Sequence, residues 1–197
     1  KASDLLQSNG IIWVEGPSDR VYIKRWLDLY FPDRFVEGVH YQFLYYGGRL
    51  LSQYSAEEVT ELISVIKTNR NAIIVMDSDK RGRNARLNDT KKRIIQEFDD
   101  LGMMSWVTKG KEIENYIPKE VIEKALGIGL KKQCGQYELF PGYIEPYYRG
   151  FVGQKVKFAR SVVEHMTLEN MAGMLDVKKQ VTELGKRISD WNGEPLR

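Results

Sequence analysis

Three apolar runs that each end in acidic residues constrain this chain more than any other feature. Ile11-Ile12-Trp13-Val14 runs into Glu15-Gly16-Pro17-Ser18-Asp19, and Ala72-Ile73-Ile74-Val75-Met76 into Asp77-Ser78-Asp79. Met104-Ser105-Trp106-Val107 leads within a few residues to Glu112-Ile113-Glu114-Asn115. Runs this short and this apolar suit strands buried on both faces of a parallel sheet. In an open α/β sheet the carboxyl ends of the strands meet at one crevice, where ligands bind. Neighbouring strands would gather the acidic residues there. Two like unit charges about 4 Å apart repel by roughly 4 kcal/mol at an effective dielectric near 20. A cluster of this kind calls for cations, and the expected chemistry is a divalent-metal site.

The patterning between the runs supports the same sheet. The sequence predicts a strand over 11–15 and a helix over 18–30, opened by Pro17 near its first turn. That helix carries Val21, Tyr22, Trp26, Leu29 and Tyr30 at helical spacing. A strand over 41–46 closes at Gly47-Gly48; a helix over 56–68 follows, with Ser55 as N-cap and Val59, Leu62, Ile63 and Ile66 on one face. Next come a strand over 71–76, a helix over 89–101 ended by Gly102, and a strand over 103–107. Strands alternating with helices imply right-handed crossovers and a mostly parallel sheet with helices on both faces. After Pro118 the pattern changes to a short helix over 119–126, a turn-rich stretch, and amphipathic helices over 155–166 and 177–191. The expected organisation is a catalytic core over residues 8–118 and a helical extension over 119–197. The extension would close on or beside the site, or form a homodimer surface.

Composition limits the alternatives. A chain of 197 residues buries roughly 70% of its unfolded surface, enough to fold without a disulfide or structural metal. Its single cysteine, Cys134, excludes an internal disulfide and a multi-cysteine zinc site, and suits a reducing cytoplasm. No apolar run approaches the ~20 residues of a membrane span. Because the chain opens on Lys1 rather than Met, it is expected to be a piece of a longer protein. A net charge of +3 is too small to argue for nucleic acid alone. Its distribution says more: Lys80, Arg81, Arg83 and Arg86 follow the Asp77/Asp79 pair directly, and Lys109-Gly110-Lys111 precedes Glu112. Cations beside carboxylates suit a phosphodiester, with the basic groups on the backbone and the acidic ones on metal.

The site residues each have an ordinary alternative. Asp19 could merely complement a helix dipole, but Glu15, ending a buried run, wants a partner. Asp77 and Asp79 at i and i+2 can both reach a hard cation, with Ser78 near enough to help; a lone Asp-x-Asp is otherwise a common turn. Glu112 and Glu114 flank Ile113 with period two, so extended backbone would aim both one way while Ile113 packs inward. At least one of the two is expected as a ligand. Lys155 and Lys157 open a basic helix terminus, and a lysine reaching the site would stabilise transition-state charge. His40 and His165 are isolated, Cys134 lacks a nearby base, and no phosphate-binding loop of the ATPase kind is present.

Together, the strand ending in Glu-Gly, the strand ending in Asp-x-Asp and the βα alternation between them resemble the Toprim domain of topoisomerases, primases and related nucleases. With Glu112-Ile113-Glu114-Asn115-Tyr116 and Lys155-Val156-Lys157-Phe158-Ala159, the chain resembles the nuclease half of OLD-family (overcoming lysogenisation defect) proteins. That resemblance implies a Rossmann-like Toprim fold and endonucleolytic hydrolysis of DNA, or RNA, with two Mg²⁺ or Mn²⁺ ions per site. Ca²⁺ would be an alternative or non-productive ligand. Glu15, Asp77 and Asp79 match the Toprim acidic set, Asp19 a further OLD ligand, and Glu112 or Glu114 completes the second metal site. Lys155 matches the active-site lysine, with Lys157 as fallback. Lys80, Arg81, Arg83, Arg86 and Lys157 would hold nucleic acid. An ABC-type ATPase normally precedes this region, and phage defence is the role the analogy suggests. The rival reading is a non-catalytic Toprim nucleic-acid-binding or recombination module.

Overall fold

A computed structural model of the chain describes residues 8–47 and 71–194. Four strands form one sheet, β1 (Ile11–Val14), β2 (Gln42–Tyr45), β3 (Ala72–Met76) and β4 (Met104–Val107). Every pairing is parallel and the spatial order is β2-β1-β3-β4. Thus β1, β3 and β4, the three strands that precede acidic residues, are consecutive neighbours. β1 and β3 are buried along their whole length, as uninterrupted apolar runs require.

Alternate side chains serve two cores, one on each face of the sheet. Ile11, Trp13, Ile74 and Met76 pack with Ile94 and Phe98 of α2 (Asp89–Asp100). Ile12, Val14, Ile73, Val75 and Trp106 face the other way, towards Tyr22, Ile23, Trp26 and Leu27 of α1 (Pro17–Tyr30). Pro17 opens α1, where a missing N–H costs nothing. The helix predicted over 56–68 and its Ser55 cap lie outside the described residues.

Beyond Pro118 come α3 (Lys119–Leu126), α4 (Phe140–Ile144), α5 (Lys155–Val163), α6 (Leu168–Met171) and α7 (Val177–Trp191). Helix α4 falls in the stretch read as turn-rich, and α6 lies between the two predicted amphipathic helices, where no element was expected. Phe140, Phe158, Val162, Val181, Leu184 and Ile188 from this part join the same apolar core as α1 and its sheet face. Contact is close: an added Cβ at Gly185 of α7 would stand 2.2 Å from the Phe31 ring. Gly185→Ala is therefore expected to cost about 1–3 kcal/mol, read as a lower urea midpoint with an unchanged slope.

Candidate metal centre

The end of β1 supplies two carboxylates. Glu15 follows the last strand residue, extended backbone at Gly16 carries the chain into α1, and Asp19 stands in the first helical turn. The Gly16 N–H donates to Asp19 Oδ2 at 3.0 Å, and the Ser18 hydroxyl donates to Oδ1 at 3.3 Å. Asp19 thus does cap the helix, while also lying close enough to Glu114 to feel its charge.

The end of β3 is stitched to the loop after β4. Asp77 Oδ1 accepts the Ile113 N–H at 2.7 Å. Ser78 donates its N–H to Thr108 Oγ1 (2.9 Å) and its hydroxyl to the Gly110 carbonyl (2.6 Å). Asp79 has left-handed backbone, φ 53°, and its N–H donates to the Lys111 carbonyl at 2.9 Å. Its exposed carboxylate forms an ion pair with Lys91, whose side chain is 4% exposed.

The glutamate pair differs from the extended geometry predicted. Residues Ile113–Tyr116 form a 3₁₀ turn, so Glu112 and Glu114 do not alternate as on a strand. The turn arises because Asp77 takes the Ile113 N–H and Asn115 Oδ1 takes the Glu112 N–H at 2.7 Å. Asn115 Nδ2 then donates to the carbonyls of Gly135 and Glu138 at 2.9 and 3.0 Å. Glu112 Oε2 accepts the Phe140 N–H at 2.9 Å. Glu114 is wholly buried, and neither of its oxygens accepts a hydrogen bond from the described residues. Its partner is charge alone: Lys155 Nζ, on the first residue of α5, lies 3.2 Å from Oε1. Between Glu112 and Glu114, the inward one is Glu114. Between the two lysines, Lys155 meets the carboxylates, while Lys157 points to solvent.

A cleft of about 210 Å³, several times the roughly 30 Å³ share of one water, is lined by Glu15, Ser18, Asp19, Asp77, Lys155 and Val156. A larger cleft, about 930 Å³ between β4 and α7, contains none of the predicted site residues. Chemistry rather than size picks out the smaller one. Lys80, Arg81, Arg83 and Arg86 lie on the β3–α2 loop, the three arginines exposed and Lys80 half-buried.

Crowding shows in the proton affinities. Burial, then Asp19, raises Glu15 to about 7. Burial, then Glu114, raises Asp19 to about 6. Asp77 is pushed well above the ordinary range by burial, Asp19, Glu114 and Glu15, and Glu112 is raised by burial and Glu114. Burial pulls Lys155 down, but Glu114, Asp77 and Glu112 outweigh it and the ammonium is held. No three of these acids stand at metal-ligand spacing among the described residues, as expected where like charges repel. The donor set nonetheless fits hard cations: all oxygen, with the buried Glu114 carboxylate short of donors.

Glu15 and Asp19 have folded-state values above their ordinary 4.5 and 3.8, so the folded chain binds more protons than the unfolded one between about pH 4 and 7. Stability is full below that window and is lost as pH rises through it. In EDTA the melting temperature is expected to fall by roughly 5 °C from pH 5 to pH 8. Mn²⁺ should restore it more at pH 8 than at pH 5. A melting temperature that climbs with pH in EDTA would contradict the reading of a repulsive cluster.

Lys91 escaped the sequence reading, yet a signal existed. The buried residues of α2 are Lys91, Ile94 and Phe98, so the lysine holds a core position in the helical period.

No family model and no curated protein matches the chain. Solved structures do. The C-terminal region of the Xanthomonas campestris pv. campestris OLD protein superposes with a TM-score of 0.56 at 15% identity, covering 96% of this chain and 98% of that one. The C-terminal region of the Burkholderia pseudomallei OLD protein gives 0.54 at 15% identity, over 89% and 98%. The chain has the α/β fold of OLD C-terminal regions along nearly its whole length.

Proposed function

We propose that this OLD-type fold is a divalent-metal-dependent endonuclease that hydrolyses DNA phosphodiester bonds, the nuclease region of an ATPase–nuclease protein. The observation that carries the reading is the buried Glu114 carboxylate, unbonded except for its charge contact with Lys155, amid Glu15, Asp19 and Asp77. Charge arithmetic agrees. Glu15, Asp19, Asp77, Asp79, Glu112 and Glu114 bring six negative charges, and Lys91 and Lys155 return two. The remaining four equal the charge of two divalent cations.

Asp77, which feels the charges of Asp19, Glu114 and Glu15 together, would serve both ions. Glu15 with Glu112 and Glu114 would hold one ion, and Asp19 with Asp79 the other. Bound Mg²⁺ or Mn²⁺ would supply an activated water and charge stabilisation at the leaving oxygen. The protein's own part is to gather the acids and to bury Glu114; since burial and repulsion raise their proton affinities, a bound cation would be what keeps them deprotonated. Lys155 places an ammonium beside the scissile phosphate, and the Lys80–Arg86 loop binds flanking phosphates. Ser78, its hydroxyl donated to Gly110, fixes the loop that presents Asp77 and Asp79.

The test is supercoiled plasmid incubated with the chain and Mg²⁺, Mn²⁺, Ca²⁺ or EDTA. Nicking or linearisation that needs metal supports the proposal. A folded chain that takes up metal, binds DNA and cuts nothing with any of them would favour the non-catalytic binding module.

A further inference from the structure

The geometry points to Lys91 as a positioning residue that sets unequal affinities for the two metals, by serving as the resident counter-cation of Asp79. This rests on the metal-centre reading above and adds an order of loading to it.

Lys91 sits in the first turn of α2 at a position its helical period assigns to the core, and it is 3% exposed. A lysine so buried keeps its charge only with close partners. Two are present: Nζ donates to the Asp77 carbonyl oxygen at 2.6 Å and to Asp79 Oδ2. The ammonium therefore spans the Asp-x-Asp turn, gripping its first residue by the backbone and its last by the side chain. Asp79 is otherwise a costly residue, since its φ of 53° lies in the left-handed region that side chains disfavour. The Lys91 bridge and the Asp79 N–H bond to Lys111 hold it there.

The consequence is asymmetry. The carboxylates of Glu15, Asp77, Glu112 and Glu114 have no such bond to Lys91, so an ion on their side need not break one. An ion that takes the Asp79 carboxylate must compete with an ammonium already bound to it. Asp79 is 59% exposed on its side chain, so the pair can open towards solvent without stranding the aspartate. Lys91 then retains the Asp77 carbonyl, and the turn keeps its shape while the carboxylate changes partner. The first ion binds tightly and the second weakly.

Room-temperature Mn²⁺ electron paramagnetic resonance on the purified chain, without substrate, measures this directly, because the free ion's signal counts what remains unbound. The wild type is expected to bind two Mn²⁺ with well-separated affinities. Lys91→Met keeps the length and removes the charge, and its second Mn²⁺ is expected to bind about tenfold more tightly. Lys91→Arg, retaining the cation, should keep the weak second step, and Asp79→Asn should lose that step in either background. A second step that is unchanged or weaker in Lys91→Met overturns the role of Lys91 while leaving the metal centre standing. Wild-type protein that takes up no Mn²⁺ overturns both. Thermal melts of each variant confirm that binding is read on folded chains.

Discussion

Asp77→Asn is expected to give a folded protein whose cleavage of plasmid falls by about a thousandfold, roughly 4 kcal/mol of barrier. The substitution is chosen for what it keeps. Asparagine retains an Oδ1 that can accept the Ile113 N–H, so the tie between the end of β3 and the loop after β4 survives. It removes the one negative charge that feels Asp19, Glu114 and Glu15 together. Metal affinity should collapse with activity, since no other acid reaches so many neighbours. Stability should move the opposite way. With a repelling, buried carboxylate gone, the chain in EDTA at pH 8 should melt higher than wild type. Loss of activity with a lower melting temperature would mean that Asp77 is chiefly architectural. Wild-type cleavage would remove it from the site altogether.

The second large effect belongs to Lys155. Lys155→Met is expected to reduce cleavage by about a hundredfold or more, through the charge no longer offered to the phosphate. It also strands Glu114, which is wholly buried and has no hydrogen bond from the described residues. Breaking a fully buried pair costs about 3–5 kcal/mol; because the Lys155 side chain is about one third exposed, about 2 kcal/mol is expected here. The two losses can be separated. In the double variant Lys155→Met/Glu114→Gln the stranded charge is gone, so stability should recover while activity stays absent. Urea denaturation and a plasmid assay on the same preparations decide it. Recovery of both would make Lys155 a structural counter-ion only.

These residues differ in how far the sequence announced them. β1 and β3 were legible because strands buried on both faces are apolar without a break, and their ends pointed to Glu15, Asp19 and the Asp77–Asp79 turn. Helices 119–126 and 177–191 were legible from their period, with bounds the structure reproduces. The Glu112–Glu114 stretch misled because period two suits a strand, whereas the backbone there is bent by bonds from Asp77 and Asn115. No local pattern reveals an acceptor 36 residues away. Asp79 was foreseen as an acid in the turn, but not its ion pair, since the partner lies 12 residues on in a helix read only for its extent. A lysine in step with Ile94 and Phe98 was the overlooked clue.

The distance in sequence between the parts of the centre has a consequence for the chain during its own synthesis. Lys155 follows Glu15 by 140 residues, and the carbonyls that hold Asn115 belong to Gly135 and Glu138. A nascent chain that has released only its residues up to Pro118 carries every acid of the centre. It still lacks the ammonium that neutralises Glu114 and the wall that buries it. The centre is therefore incomplete until α5 has left the ribosome, and a ribosome that stalls earlier yields a polypeptide whose clustered acids have neither their lysine nor their cover.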